Sequence, residues 1–185
     1  RIGDRVVTVL IDLQGKSRRI LPRPIYTISS DGTKALSLNF SRLTDTRPGY
    51  GYNGLKDLYY DQLHPQNDGI YLMDLETGEH ELIVSLDKLA KLNWEPSMEG
   101  RKQWFNHLLL NPSGDRFIFL HRWPTEDGRS FHTRLCTANI DGSDIFVSSL
   151  KMGSHFIWYD DTNILIWGKS EQYGAAYHLI EDRTD

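Results

Sequence analysis

Cysteine is almost missing from this chain: Cys136 is the only one among 185 residues. A lone thiol excludes an internal disulfide framework and the zinc patterns built on paired cysteines. Cys136 lies in an apolar, strand-like run and reads as a small core residue. Long apolar runs are missing too, and nothing approaches the roughly 18 consecutive apolar residues of a membrane-spanning helix. Nor is there a bias to one charge, since 21 Lys and Arg face 25 Asp and Glu for a formal net charge of -4. Nucleic-acid binders carry a basic stripe, so no such partner is expected. A P-loop, a dinucleotide fingerprint, an HExxH pair and a Ser-His-Asp order are also absent, which leaves nucleophilic Ser or Cys catalysis unsupported. No signal-peptide pattern is read, and the compartment stays open. Asn39-Phe40-Ser41 forms one N-glycosylation sequon, relevant only on a eukaryotic secretory route.

What is abundant is aromatic. Trp, Tyr and Phe make up 11% of the chain, with five Trp and nine Tyr. The organising stretch is WFNHLLLNPSGDRFIFLHRW, residues 104–123. Pro112 biases Asn111 toward extended backbone, Gly114 accepts positive φ, and Asn, Ser and Asp make local side-chain turns. The segment 111–115 is therefore expected to reverse the chain between two strands. The run 117–120 is short, aromatic and branched, and apolar without alternation, so it must be covered on both faces.

The pattern repeats. Turns at Asp12-Leu13-Gln14-Gly15, Asp74-Leu75-Glu76-Thr77-Gly78 and Asn139-Ile140-Asp141-Gly142 are 63 and 64 residues apart, measured glycine to glycine. Each has a strand before it (6–11, 70–73, 135–138) and one after it (18–21, 81–86, 145–150). Between them lie hairpins of the other kind, at 25–38 around Ser29-Ser30-Asp31-Gly32 and at 155–167 around Asp160-Asp161-Thr162-Asn163. Grouped in fours, the strands make antiparallel sheets of 25–86, 106–150 and 155 onward, with 6–21 as the outer half of an earlier one. The fold expected is all-β, a β-propeller of four-stranded antiparallel blades, with a β-sandwich as the alternative. Residues 1–185 would form one propeller segment of about three blades. Its open faces would be covered by further blades of the same chain or by an associating chain.

Two stretches interrupt the period. Residues 41–68 form a 28-residue excursion carrying an aromatic and basic set: Arg42, Arg47, Tyr50, Tyr52, Tyr59 and Tyr60. Tyr faces stack on sugar rings and Arg pairs with carboxylates, although such a loop can also pack its own side chains. Residues 86–92 are expected to form one or two helical turns capped by Ser85.

The phrases Ser30-Asp31-Gly32, Asn111-Pro112-Ser113-Gly114-Asp115 and Asn139-Ile140-Asp141-Gly142-Ser143 resemble the WD40-like propeller repeats of the TolB type, as found also in uncharacterised bacterial propeller proteins. A narrower resemblance is to the oligogalacturonate lyases. His107 precedes Asn111-Pro112 and His155 precedes Trp158, as histidines do in their inner strands. That resemblance implies a divalent metal, manganese, on His107 and His155, and β-elimination on uronic-acid oligosaccharides. The sequence departs from the pattern after His155, where neither Gln nor a second His follows closely.

On this reading His121 and Arg122, after the return strand, are the catalytic candidates. The ligand-binding set is Arg42, Arg47, Tyr50, Tyr52, Tyr59, Tyr60 and Trp158. Arg122 has an alternative use, stacking on the neighbouring Trp123 indole. His64, His80, His132 and His178 are expected in solvent. A glycoside hydrolase would need paired carboxylates, for which Asp57, Asp61 and Glu95 are candidates. A non-catalytic interaction scaffold remains the competing class, so the partner expected is an oligosaccharide or a protein.

Overall fold

The computed structural model describes residues 2–184. The chain is all-β, with antiparallel sheets. A hairpin of β1 (Thr8–Ile11) and β2 (Arg18–Leu21) comes first, then a sheet in the order β3 (Thr27–Ile28), β4 (Lys34–Leu38), β5 (Gly69–Asp74), β6 (His80–Ser85). Six more strands follow: β7 (Trp104–Leu110), β8 (Arg116–Pro124), β9 (Phe131–Asn139), β10 (Phe146–Trp158), β11 (Asn163–Ser170) and β12 (Gly174–Glu181), each paired with the next.

The sheets stack in chain order, because successive residues of a strand point to opposite faces. In β4, Ala35 packs with Met73 and Leu21 of the first hairpin, while Leu36 and Leu38 pack on the far side with Phe117 and Phe119. In β8, Phe117 and Phe119 face the β3–β6 sheet, whereas Ile118 and Leu120 face Trp158, Ile164 and Ile166. All four of these β8 residues are 0% exposed. Cys136 lies in the same core, and burial pushes its thiol pKa up to about 12, so it is an inert packing group.

The sheets expected over 106–150 and from 155 onward share one continuous strand. Phe146 and Val147 of β10 pair with β9, and residues 154–158 pair with β11. Between the two halves the register shifts twice, and Met152 adopts φ 57°. The strand thus bends out of one layer into the next. The turns after β3, β7 and β10 abut in sequence order: Ser30 Oγ donates to Pro112 O (2.6 Å), and Ser113 N–H donates to Asp161 Oδ1 (2.7 Å).

The excursion begins with a helix that periodicity did not reveal, α1 (Phe40–Thr46). Asn39 caps it, its Oδ1 accepting from the Ser41 and Arg42 N–H groups. The Asn39 Nδ2 donates to Asp57 and Asp68, both at 2.8 Å, so the sequon amide is committed inside the fold. The second helix, α2 (Leu86–Lys91), starts at the expected cap, with Ser85 Oγ accepting from Lys88 N–H at 3.0 Å.

Arg42 closes the excursion from within. It is 2% exposed, and its guanidinium donates to Gln103 O, Asp57 Oδ2, Tyr59 O, Gln62 O and Leu63 O. Removing one partner from a buried ion pair typically costs about 3–5 kcal/mol, because the other charge stays buried. Arg42→Met is therefore expected to lower unfolding free energy by about that much in urea titration. A loss below about 1 kcal/mol would mean that the excursion is held some other way.

Candidate functional site

A cavity of about 690 Å³ opens beside β7 and the bend of β10, with Tyr26 of the neighbouring layer in its wall. That volume lies in the usual range for small-molecule sites. His107 and His155 both line it. Each sits at a register shift, between Asn106 and Leu109 in β7 and between Ser154 and Phe156 in β10. Each also adopts left-handed backbone, with φ 55° and 48°. That conformation is strained for a residue with a Cβ, and strain of this kind collects at functional sites.

Two guanidiniums share the wall. Arg47 Cζ lies 4.6 Å and Arg122 Cζ 4.5 Å from the centroid of the Phe131 ring, and Arg47 also lies 4.9 Å from Tyr50. Among the described residues neither has a carboxylate partner: Arg122 Nε donates to Thr133 Oγ1 (3.0 Å), and Arg47 Nε is buried with no acceptor. Arg122 is 4% exposed; burial and the neighbouring Arg47 charge pull its pKa down to about 10. It remains charged at neutral pH. Its stacking partner is Phe131, correcting the expected Trp123; the cation over Trp123 is Arg134, which comes from the facing strand β9. The Trp123 ring is stacked by His132 at 5.4 Å.

Tyr50 meets His107 edge-on at 5.9 Å, and Phe156 meets it at 6.5 Å. Burial first, then the charges of Arg122, His155 and Arg47, hold the His107 pKa down to about 4. The ring is therefore neutral at pH 7 and offers a free nitrogen lone pair.

Other expected site residues lie elsewhere. Arg42 is sealed beneath the excursion, and Trp158 is a core residue whose Nε1 donates to Leu109 O at 3.1 Å. Tyr52 packs on Phe40 at 4.8 Å, Tyr60 lies under Lys102 at 4.0 Å, and Tyr59 lines a separate cleft. His121 is 0% exposed, with Nε2 donating to Gln103 Oε1 (2.7 Å) and Nδ1 accepting from Arg134 Nε (3.0 Å). Both nitrogens are occupied, and burial and the Arg134 charge hold its pKa far below the ordinary histidine value. It pins the 86–103 link to β8 and cannot reach a ligand. Asp57 is likewise enclosed by Arg42 and Asn39; of the three carboxylates considered for hydrolysis, Glu95 alone reaches the cavity. His64 pairs with Asp87 at 3.2 Å instead of standing free in solvent.

The donor set does not suit a divalent cation. Among the described residues no three His, Cys, Asp or Glu side chains converge. The two imidazoles share their cavity with two guanidiniums, which repel a cation and favour an anion. Sequence reasoning missed Tyr26, Phe131 and Phe156. Tyr26 could have been found, since it heads the first inner hairpin much as His107 and His155 head the next two.

No family model and no curated protein matches this chain.

The depressed histidines set a direction for pH dependence. Between about pH 6.5 and 4 the unfolded chain binds protons at His107 and His121 that the folded chain refuses, so stability falls on acidification through that window. Urea midpoints are expected to drop from pH 7 to pH 5, and His107→Gln to flatten part of the slope. A midpoint indifferent to pH over this range would contradict the burial of these two imidazoles.

Proposed function

We propose that this chain is a segment of a β-propeller whose cavity binds acidic carbohydrate, a uronic-acid oligosaccharide in the sharpest form. The single observation that carries the ligand class is the pair of guanidiniums, Arg47 and Arg122, with no carboxylate partner among the described residues, held against one Phe131 ring in the cavity wall. Crowding two like charges costs free energy that a bound carboxylate offsets. Arg forks match carboxylate geometry, and Tyr26, Tyr50 and Phe156 offer ring faces or edges to a sugar. The propeller reading is supported by stacked antiparallel sheets, by β8 covered on both faces, and by inner turns that touch in chain order.

The same groups can serve β-elimination. An arginine pairing with the uronate carboxylate acidifies the adjacent C–H; neutral His107 takes that proton, the electrons form a C=C bond, the glycosidic C–O bond at the β-carbon breaks, and the departing oxygen takes a proton from water while the imidazolium returns its own to solvent. Glu95 alone gives no carboxylate pair, which disfavours hydrolysis.

The outer face of the last layer exposes Ile157, Trp167, Tyr177 and Leu179. Contiguous apolar surface of this kind favours further sheets of the same chain, or an associating chain, stacked there.

Calorimetric titration with digalacturonate at pH 7 tests the reading. Measurable binding is expected, weakened about tenfold or more by Arg122→Gln and by Arg47→Gln, and reduced by salt. Equal affinity for the neutral disaccharide, or no loss in either variant, would overturn the anionic ligand class. Appearance of unsaturated product absorbance on incubation would support elimination; binding without it leaves a sugar-binding module.

A further inference from the structure

We propose that Tyr26 is the positioning residue of this cavity and one of its ligand donors: its hydroxyl accepts the backbone N–H of His107 and turns its single proton toward a ligand oxygen. The ligand half rests on the acidic-sugar reading above; the positioning half does not.

The argument starts from the β7–β8 ladder. Pairing is lost between Asn106 and Leu109, where His107 takes left-handed backbone at φ 55°. Its N–H is therefore turned out of the ladder, and a buried N–H needs an acceptor from somewhere. Tyr26 Oη supplies it at 3.0 Å. The two residues belong to different layers, so the contact crosses from one sheet to the next. Tyr26 is itself fixed: its N–H donates to Leu36 O at 2.8 Å, and its ring stacks on Phe40 at 5.7 Å.

A phenol has one proton to give. With a lone pair already used by His107, the Tyr26 proton finds no acceptor among the described residues, and its cavity neighbours Arg47 and Arg122 are donors only. Burial raises the Tyr26 pKa, so the proton is present at neutral pH. A carboxylate or hydroxyl oxygen of a sugar would complete the set, bound by two guanidiniums and a phenol. Binding would then tighten the same hydroxyl that holds His107 in place. His155 provides an internal comparison. It has the same left-handed backbone, φ 48°, and no tyrosine hydroxyl on its N–H among the described residues.

The test is Tyr26→Phe, read by histidine NMR titration and by digalacturonate calorimetry. Besides Tyr26, the charged and titratable groups facing His107 are Arg47, Arg122, His155 and Tyr50, all retained in the variant, so a moved midpoint reports the imidazole leaving its buried seat. The His107 midpoint is expected to rise from about 4 toward the ordinary histidine range. Digalacturonate affinity is expected to fall about tenfold or more. An unchanged His107 midpoint in a folded variant would overturn the positioning role, and unchanged affinity would overturn the donor role. If the variant does not fold, hydrogen exchange of the His107 amide in the wild type decides: protection supports the clamp, and exchange at the rate of an open chain rejects it. If the wild type does not bind digalacturonate, the acidic-sugar reading and the donor role fall together, and the His107 shift still decides the positioning role.

Discussion

Burial of β8 on both faces is the constraint on which the rest depends. A strand with Phe117, Ile118, Phe119 and Leu120 in succession has no face to give to water. It is stable only as the middle layer of a stack, and the structure supplies both covers: the β3–β6 sheet on one side and β10–β12 on the other. Once the sheets are layered in this way, the heads of their inner strands come side by side. The cavity forms there, where His107 of β7 and His155 of β10, both in the continuous β7–β12 sheet, meet Tyr26 from the neighbouring β3–β6 layer.

The arginines divide cleanly by what surrounds them. Arg42, Arg116 and Arg134 are buried and saturated with acceptors. Arg116, for example, donates to Asp182, Asn139 and Thr137 and so ties the segment after β12 back onto the β8–β9 pair. These are structural cations, neutralised or satisfied at their own positions. Arg47 and Arg122 share a ring instead of an acid. The same side-chain chemistry thus stabilises the fold at one set of positions and leaves a binding potential at the other. The difference lies in the partner, which no sequence window contains.

Turn chemistry was the most readable part of the chain. Asn111-Pro112-Ser113-Gly114-Asp115 forms the reversal expected, with Asn111 N–H donating to Arg116 O at 2.9 Å. Ser85 caps α2, and the alternation of hairpins reproduces the strand order. Local rules sufficed there because turns and caps are closed by residues within a few positions of each other. They failed at α1, a short helix with no clear apolar period that is held by Asn39 and by the long-range bonds of Arg42. They failed again at residues 151–154, where two strands expected apart run on as one bent strand.

The sequence by itself determined the all-β class, the hairpin order and the presence of doubly covered strands, because pleat alternation and turn propensities act over a few residues. It also marked His107 and His155 as equivalent, since both precede an inner turn. Only the tertiary structure decided which polar residues meet. His121 and Arg122 are adjacent in the chain, yet alternation sends the imidazole into a closed network with Gln103 and Arg134 and the guanidinium into the cavity. Arg42 and Arg47 share one excursion, yet one is sealed in and the other lines the site. Burial and pairing are properties of the layers that come together, and those are set by contacts between residues far apart in the chain.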